Sequence, residues 1–551
     1  MHFDLSLPQF LTQVEAKFGA ETAISFKEGG QWQSLSYSVV ISHSQSLAHG
    51  LRTIRLGANG RIVIISESRP EWPVTFFAGL LCGAVVVPLD PKQTEQELSD
   101  TLNFVQPDAI FASPKLVPLI RRIVGDAQTT LIELNYADTT PTSGFSALLA
   151  TANSGEFPDR NPDEPALIVF TSGSSGARKG VQLSIRNLFH QIGALGQYFR
   201  VGPKHTFLSV LPLHHMLELS GGFLTVFSKG GRICYLNSIL PDELIKTVRQ
   251  QKVTHMILVP MLLRLLVLGL SRHRATRSSS IERLIAFAPR SIRPFLRRIC
   301  LKWHDIHLRT LIVGGATPAA ADISAVRNVG INLLLGYGLT ETSPVICLNQ
   351  AVDTKPDSVG KPLADVFVNI YSSTGHLPRD GEIRVKGPNV MIGYYNNPNA
   401  SEEAFVDGWF ATGDVGRIDA EGYVYISGRK KNIIVLDNGK KVSPEEVEAA
   451  LLACPTISEA CVIGIRSAET SNEQVIAVIV PDGEAATLPR DPTELEKQLR
   501  SDVTQACQGL SVYKRPVKVF IEHSALPKTA TGKVQPGQVK QLVEKNHLTK
   551  Q

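Results

Sequence analysis

Ala166-Leu167-Ile168-Val169-Phe170-Thr171-Ser172-Gly173-Ser174-Ser175-Gly176-Ala177-Arg178-Lys179-Gly180 is the stretch from which the rest of the chain is read. The apolar run Ala166–Phe170 has the length and composition of a buried strand, and a helix is expected from Ser184. Between them lies a loop suited to polyphosphate. Its three glycines permit positive φ and close approach of the backbone, and its four hydroxyls and free N–H groups can hydrogen-bond phosphate oxygens. Arg178 and Lys179 add positive charge. Ser/Gly-rich stretches are commonly plain linkers. A linker, however, is not expected to join a buried strand to a capped helix and end in paired cations. The order of residues is not a Walker A loop, in which Gly-Lys is followed directly by Ser or Thr.

Outward from this stretch, 551 residues are too many for one ordinary core, and three or four folding units of about 150 residues are expected. The composition, 43% hydrophobic and 19% charged, fits a filled globular interior and excludes a mainly disordered chain. Met1-His2-Phe3-Asp4-Leu5-Ser6 lacks a basic start followed by an apolar core, so a cytoplasmic rather than secreted protein is expected. The apolar stretch Val259–Leu270 is interrupted by Arg264 and falls short of the roughly 20 residues that span a bilayer. It reads as a buried helix. Seven cysteines without a CxxC pair suggest reduced thiols and argue against a thiolate-held metal.

A net charge of +5 is too small on this length to argue for nucleic acid as a partner. Its distribution is uneven. Between Ser271 and Thr310 stand ten Lys/Arg, including Arg272, Arg274, Arg277, Arg293, Arg297 and Arg298, against Glu282 and Asp305 alone. Two readings stay open for segment 272–309: a solvated helical surface, or a peripheral membrane contact on the inner face, resting on anionic headgroups.

Residues 60–170 alternate β-rich runs with helical patterns: 61–65, a helix over 71–81, then 84–89. The alternation resumes with strands expected at 207–211, 233–236, 256–259, 308–313 and 331–335. This is the pattern of parallel sheets covered by helices, whose ligand sites lie beyond the C-terminal strand ends. Chemically unusual loops follow three of these strands: His214-His215, Gly314-Gly315-Ala316 and Gly336-Tyr337-Gly338-Leu339-Thr340-Glu341. From about 356 to 428 short strands punctuated by Gly and Pro indicate a β-rich subdomain. Gly428-Arg429-Lys430-Lys431-Asn432 reads as a boundary. Beyond it, Ser443-Pro444-Glu445-Glu446 predicts a capping box and a helix start, and the rest reads as a small α+β domain. The expected division is 1–430, a large part of two parallel-sheet α/β subdomains plus a β-rich subdomain, and 431–551, a small mobile α+β domain.

The loop Thr171–Gly180, Gly336–Glu341, Thr412-Gly413-Asp414, Gly428-Arg429 and Pro527-Lys528-Thr529-Ala530-Thr531-Gly532-Lys533 occur in the order and spacing of the adenylate-forming superfamily. The chain resembles it from about residue 36 to 546, and most resembles its long-chain fatty acyl-CoA synthetases. Each motif alone is weak evidence; five in register are strong. The resemblance implies ATP-dependent activation of a carboxylate to acyl-AMP with release of pyrophosphate, then transfer to CoA. An acyl carrier protein is the alternative acceptor, and a non-catalytic nucleotide- or acyl-binding regulator is the reading from another class.

The resemblance also implies roles. Thr171, Ser172, Gly173, Ser174, Ser175, Gly176 and Lys179 would cover the β/γ-phosphates. Glu341 would be the Mg²⁺ ligand with Thr340 touching phosphate beside it. Tyr337, Gly336, Gly315 and Ala316 would receive adenine, and Asp414 and Arg429 the ribose. Lys533 would reach the α-phosphate and the attacking carboxylate. Lys431 matches the hinge, after which Gly439, Lys440 and Lys441 would form the thiol-side loop. His215 stands where amino-acid-activating relatives carry an aspartate, which argues against an amino-acid substrate and would let it orient the substrate carboxylate. A structural histidine is the other reading of the same residue. Arg178 departs from the family, which commonly has proline there.

Overall fold

The computed structural model describes residues 5–548 apart from 55, 57–58, 126–128, 137–143, 152–154, 172–178, 237, 276–305, 351–354, 372–379, 437–439, 467–472, 483–488, 490 and 529–533. Two large sheets carry the N-terminal part. The first has seven strands in the order Gly393–Tyr394, Lys179–Ser184, Pro165–Thr171, Val85–Leu89, Arg61–Ile65, Ala109–Ala112, Thr130–Glu133. The last five of these are parallel. Their near-continuous apolar runs are what strands covered on both faces require.

The second sheet has nine strands: Lys361–Pro362, Cys347–Asn349, Asn332–Tyr337, Thr310–Val313, His255–Leu258, Thr206–Ser209, Arg232–Tyr235, Thr22–Glu28, Gln31–Ser36. Its interior is parallel from Asn332–Tyr337 through Thr22–Glu28. The α/β architecture expected from the sequence is the one observed. Helix Glu71–Leu81 has every residue buried, as its lack of a polar face demands. Its Phe76 and Phe77 meet Phe223 and Phe227 from the other half of the molecule at ring-centroid distances of 5.1–6.3 Å. Aromatic burial of this kind contributes strongly to a core.

The helix expected from Ser184 is present, with Ser184 as its N-cap, but a strand that the sequence reading did not name precedes it. The segment Lys179–Ser184 is a strand, antiparallel to Pro165–Thr171 with Thr171 opposite Lys179, and the helix Ile185–Leu195 begins only after it. Val181 and Leu183 bury inward while Gln182 is half-buried. That period of two is the strand signature, too short to stand out beside the glycine-rich loop.

Five further strands form a sheet from Phe367–Tyr371 to Val424–Arg429, the β-rich part expected from its Gly and Pro punctuation. The C-terminal domain is a three-stranded sheet, Ile457–Arg466, Glu473–Pro481 and Lys518–Ile521. Strand alternation gives it two apolar faces. Val462, Ala477 and Ile479 pack with Val447, Leu451, Leu499 and Val503, whereas Ile463, Ile476 and Val478 pack with Val539 and Val543. The helix at Pro444–Leu452 starts where expected, but the capping box does not form. The Ser443 hydroxyl donates to Glu445 (2.8 Å) and Glu446 pairs with Lys514 (2.6 Å). Among the described residues no helix is long and apolar enough to cross a membrane. Of the apolar stretch from 259, Val259 joins strand His255–Leu258 to helix Pro260–Ala275, and the rest lies in that helix. Residues 276–305, and the side chains of 271–275, lie outside the described residues, and with them most of the basic patch.

Candidate active site

Parallel strands deliver their C-terminal ends to one edge of the sheet, and the unusual loops converge there. After Thr310–Val313, Gly315 adopts φ +86°, a region open chiefly to glycine, and Gly315 and Ala316 are exposed. The neighbouring strand ends at Tyr337, whose hydroxyl donates to Asp414 Oδ2 at 2.8 Å. Asp414 comes from the β-rich part, strand Trp409–Ile418. Its partner in register on Val424–Arg429 is Arg429, whose Nε lies 2.9 Å from Asp414 Oδ1. A nearly buried carboxylate needs such donors, and each oxygen keeps a second lone pair for a ligand. Burial, then the adjacent Asp414 charge, pushes the Tyr337 phenol well above its ordinary pKa, so it remains a donor.

Past Gly336 and Gly338 the chain turns through Thr340–Thr342. A Cβ on Gly338 would lie 1.9 Å from the Pro344 carbonyl oxygen, so only glycine fits. Two buried amides hold this turn. Gln191 donates to the Val345 carbonyl (2.8 Å), and Asn389 donates to those of Thr342 and Val345 (both 3.2 Å). The turn aims Glu341 at Tyr394, whose hydroxyl donates to Glu341 Oε1 at 2.9 Å. Lys179 Nζ lies 4.5 Å from the centre of the Tyr394 ring. Glu341 and Lys179, 162 positions apart in the chain, thus meet one side chain. Gln191, Asn389 and Tyr394 were missed in the sequence; Asn389 in Gly387-Pro388-Asn389 carried a turn signal, and the others carried none.

The His214 and His215 rings meet at a tilt of 49° with centroids 4.2 Å apart after strand Thr206–Ser209. Burial lowers both pKa values, for His214 well below the ordinary value, with Asp90 partly opposing this at His215. Both are neutral near pH 7. Glu218, in the helical segment Leu217–Thr225 that follows, is fully buried, and its pKa is pushed up to about 8 by desolvation. Neither of its oxygens has a hydrogen-bond partner among the described residues, though the Ser209 hydroxyl is near enough to pull the pKa back slightly.

Lys431 is exposed, in the turn after Arg429, and Lys430 reaches back to Glu382 at 3.1 Å. Lys440 lies over the Tyr513 ring, 4.5 Å from its centre. Lys441 sits in a short strand paired with Ile434–Val435, its side chain outside the described residues. Ser172, Gly173, Ser174, Ser175, Gly176, Gly439 and Lys533 also lie outside them. The flanks of the Lys533 segment are described: Lys528 bridges Val534. Where Asp414 and Arg429 face Tyr337, the next pair in register, Val415 and Gly428, line a cleft of about 380 Å³ against Ser443, Glu446 and Lys514 of the small domain.

Among the described residues no cluster of three or more His, Cys, Asp or Glu could hold a metal ion. A single carboxylate such as Glu341 fits a cation that takes most of its oxygens from phosphate and water, as Mg²⁺ does.

A family model described as AMP-binding enzyme matches residues 11–395, and a second, AMP-binding enzyme C-terminal domain, matches residues 446–533. The chain belongs to the AMP-binding enzyme family. This AMP-binding enzyme is 29% identical over 547 residues to an indoleacetate–CoA ligase of Aromatoleum aromaticum, covering 96% of this chain and 97% of the relative. It is 27% identical to a long-chain-fatty-acid–CoA ligase of Thermus thermophilus, covering 97% and 94% of the two chains. Among solved structures, ATP-bound MatB from Rhodopseudomonas palustris superposes with a TM-score of 0.79 at 27% identity, covering 97% of this chain and 98% of that one.

Proposed function

We propose that the protein joins a carboxylic acid to CoA in two steps, forming an acyl-adenylate from ATP with loss of pyrophosphate and then an acyl thioester with loss of AMP. The observation that carries this reading is that Tyr337, at the end of its strand, meets Asp414 and Arg429, while Glu341, four residues further on, meets Tyr394 together with Lys179. On it, adenine lies by Gly315, Ala316, Gly336 and Tyr337, and Asp414 accepts from the ribose hydroxyls with Arg429 beside it. Lys179, Thr171 and the loop 172–176 take the β/γ-phosphates. Glu341, with Thr340, holds Mg²⁺, which when bound would offset phosphate charge.

Carboxylate attack on the α-phosphorus brings two anions together, so a fixed cation at that point is effective. We assign this to Lys533. Lys431 is the hinge of a boundary at 430/431, about which the small domain turns to bring Gly439, Lys440 and Lys441 to the site for the thiol step. His215, neutral, orients the acid. The acid itself is read as a fatty, long-chain one, from the apolar helix Pro260–Ala275 and the likeness to a fatty-acid ligase. The likeness to an indoleacetate ligase favours an aryl acid as the second reading.

Pyrophosphate release measured over a panel of long aliphatic, short and aryl acids tests the substrate. A peak at long chains supports the first reading, and a peak at aryl acids replaces it with the second. Thioester formation with free CoA or with holo carrier protein separates the acceptors. Lys533→Ala is expected to slow pyrophosphate release by about 10²–10³-fold. Undiminished release from that variant would remove Lys533 from the chemistry.

A further inference from the structure

The two-residue strand Gly393–Tyr394 is tied to two separate parts of the site. Its residues pair antiparallel with the strand headed by Lys179, Tyr394 opposite Val181 and Gly393 opposite Gln182. The Tyr395 amide donates to the Gly180 carbonyl at 2.7 Å, and the Met391 amide donates to the Glu341 carbonyl at 2.8 Å. The backbone of one short segment therefore spans from Lys179 to Glu341. Tyr394 repeats the connection with its side chain. Its hydroxyl donates to Glu341 Oε1 at 2.9 Å, and its ring lies under Lys179 Nζ at 4.5 Å. The ring is buried, and the Tyr394 amide is itself anchored on Ser401 Oγ at 2.9 Å.

We propose that Tyr394 is a positioning residue for the triphosphate side of the site: its hydroxyl fixes the Glu341 carboxylate so that Oε2 is presented to a divalent cation, and its ring face holds the Lys179 ammonium. The inference rests on the reading above that Glu341 meets Mg²⁺. A carboxylate on a flexible side chain has several rotamers, and only some aim an oxygen at a given point. A hydrogen bond to one oxygen selects among them, and such outer partners of a ligand are typically worth about 10–100-fold in metal affinity or activity. The ring acts differently, through the attraction of an ammonium to an aromatic face. Because Lys179 closes a loop whose other end, Thr171, pairs with it, the ring also sets where that loop re-enters the sheet.

The two contacts separate by substitution. Tyr394→Phe keeps the ring and loses the hydroxyl; Tyr394→Leu loses both. Tyr394→Phe is expected to raise the free Mg²⁺ needed for half-maximal pyrophosphate release by about 10-fold or more, with the rate at saturating Mg²⁺ restored. Calorimetric titration with ATP supplies a readout independent of turnover. In EDTA, Tyr394→Phe binds ATP as the parent does, whereas the tightening on adding Mg²⁺ is reduced. Tyr394→Leu weakens the metal-free binding as well, through Lys179. Thermal unfolding of the Phe variant, which fills the same space, is expected to match the parent.

Glu341→Gln is the control for the underlying reading. If Glu341→Gln shifts the Mg²⁺ dependence and Tyr394→Phe does not, the role given to Tyr394 is wrong while Glu341 keeps its own. If Glu341→Gln leaves the Mg²⁺ dependence unchanged, the reading of Glu341 fails first. A double variant no more impaired in Mg²⁺ dependence than Glu341→Gln alone places the hydroxyl's effect on that carboxylate; additive losses overturn it.

Discussion

At the scale of single residues, the site is a set of charges with defined partners. Asp414 is held by a phenol and a guanidinium, and exchanging its carboxylate for an amide removes a charge-assisted bond while preserving size. Asp414→Asn is expected to weaken ATP binding by about 10–100-fold in a calorimetric titration, the span of a lost hydrogen bond to a charged group. Unchanged affinity would remove Asp414 from the nucleotide site. Glu218 makes a prediction of another kind. Its carboxyl titrates at about 8 in the folded protein against an ordinary 4.5. Between those values the unfolded chain releases a proton that the folded chain retains, so stability falls as pH rises, by up to about 1.4 kcal/mol per pH unit. Glu218→Gln cannot ionise, and its melting temperature is expected to match the parent near about pH 5 and to exceed it near about pH 8. A difference independent of pH would show that burial does not hold this carboxyl protonated. Asp414, Glu341 and Arg429 were legible in the sequence because each sits in a motif of fixed spacing. Tyr394 and Gln191 were not, since a hydrogen bond across 53 or 151 positions leaves no local mark.

At the scale of elements, legibility followed burial pattern. Helix Glu71–Leu81 matches its sequence reading at both ends, and the strands read at 61–65, 84–89, 166–170 and between 207 and 335 fall within a few residues of their expected bounds, because continuous apolar runs bounded by polar turns leave little choice. The parallel strands Thr22–Glu28, Ala109–Ala112 and Thr130–Glu133 had no such reading. The N-terminal strand Gln31–Ser36 has no buried residue and hence no alternation to read. The capping box at Ser443 was a correct motif with the wrong partners, since Lys514, distant in sequence, captured Glu446. Among the loops, the turn carrying Thr340 and Glu341 depends most on a single small residue. With the Pro344 carbonyl 1.9 Å from the position of a Cβ at Gly338, and that oxygen fixed in backbone, Gly338→Ala forces the turn to move. Forced overpacking of this type costs about 1–3 kcal/mol and sometimes more. The expected result is a lowered melting temperature together with loss of adenylation, since the same displacement carries Glu341 away from Tyr394. Full activity in Gly338→Ala would mean that the turn is not needed in this conformation.

At the scale of the whole molecule, the question is how the small domain meets the large one. Strand Val424–Arg429 carries Arg429, paired with Asp414, on one face and Gly428 on the other, and Gly428 touches the start of the helix Pro444–Leu452. A Cβ there would lie 2.4 Å from Ser443 Oγ and 2.8 Å from Glu445 Oε2, and Gly428 itself stands at φ +155°. Close approach of the two parts in this orientation therefore requires glycine. The Ser443–Glu445 and Asn432–Glu445 hydrogen bonds keep those oxygens in place, so the clash is not relieved by a simple side-chain swing. If the protein alternates between two domain orientations, as the proposed two-step reaction requires, a residue tolerated in one and excluded from the other biases the alternation. Gly428→Ala is thus expected to slow the half-reaction served by the present orientation by more than the other. The comparison is between acid-dependent ATP–pyrophosphate exchange and the release of AMP when CoA is added to preformed acyl-adenylate. A loss shared equally by both half-reactions would instead trace the effect of Gly428 to the neighbouring Asp414–Arg429 pair, and would leave the orientation of the small domain unaffected by this contact.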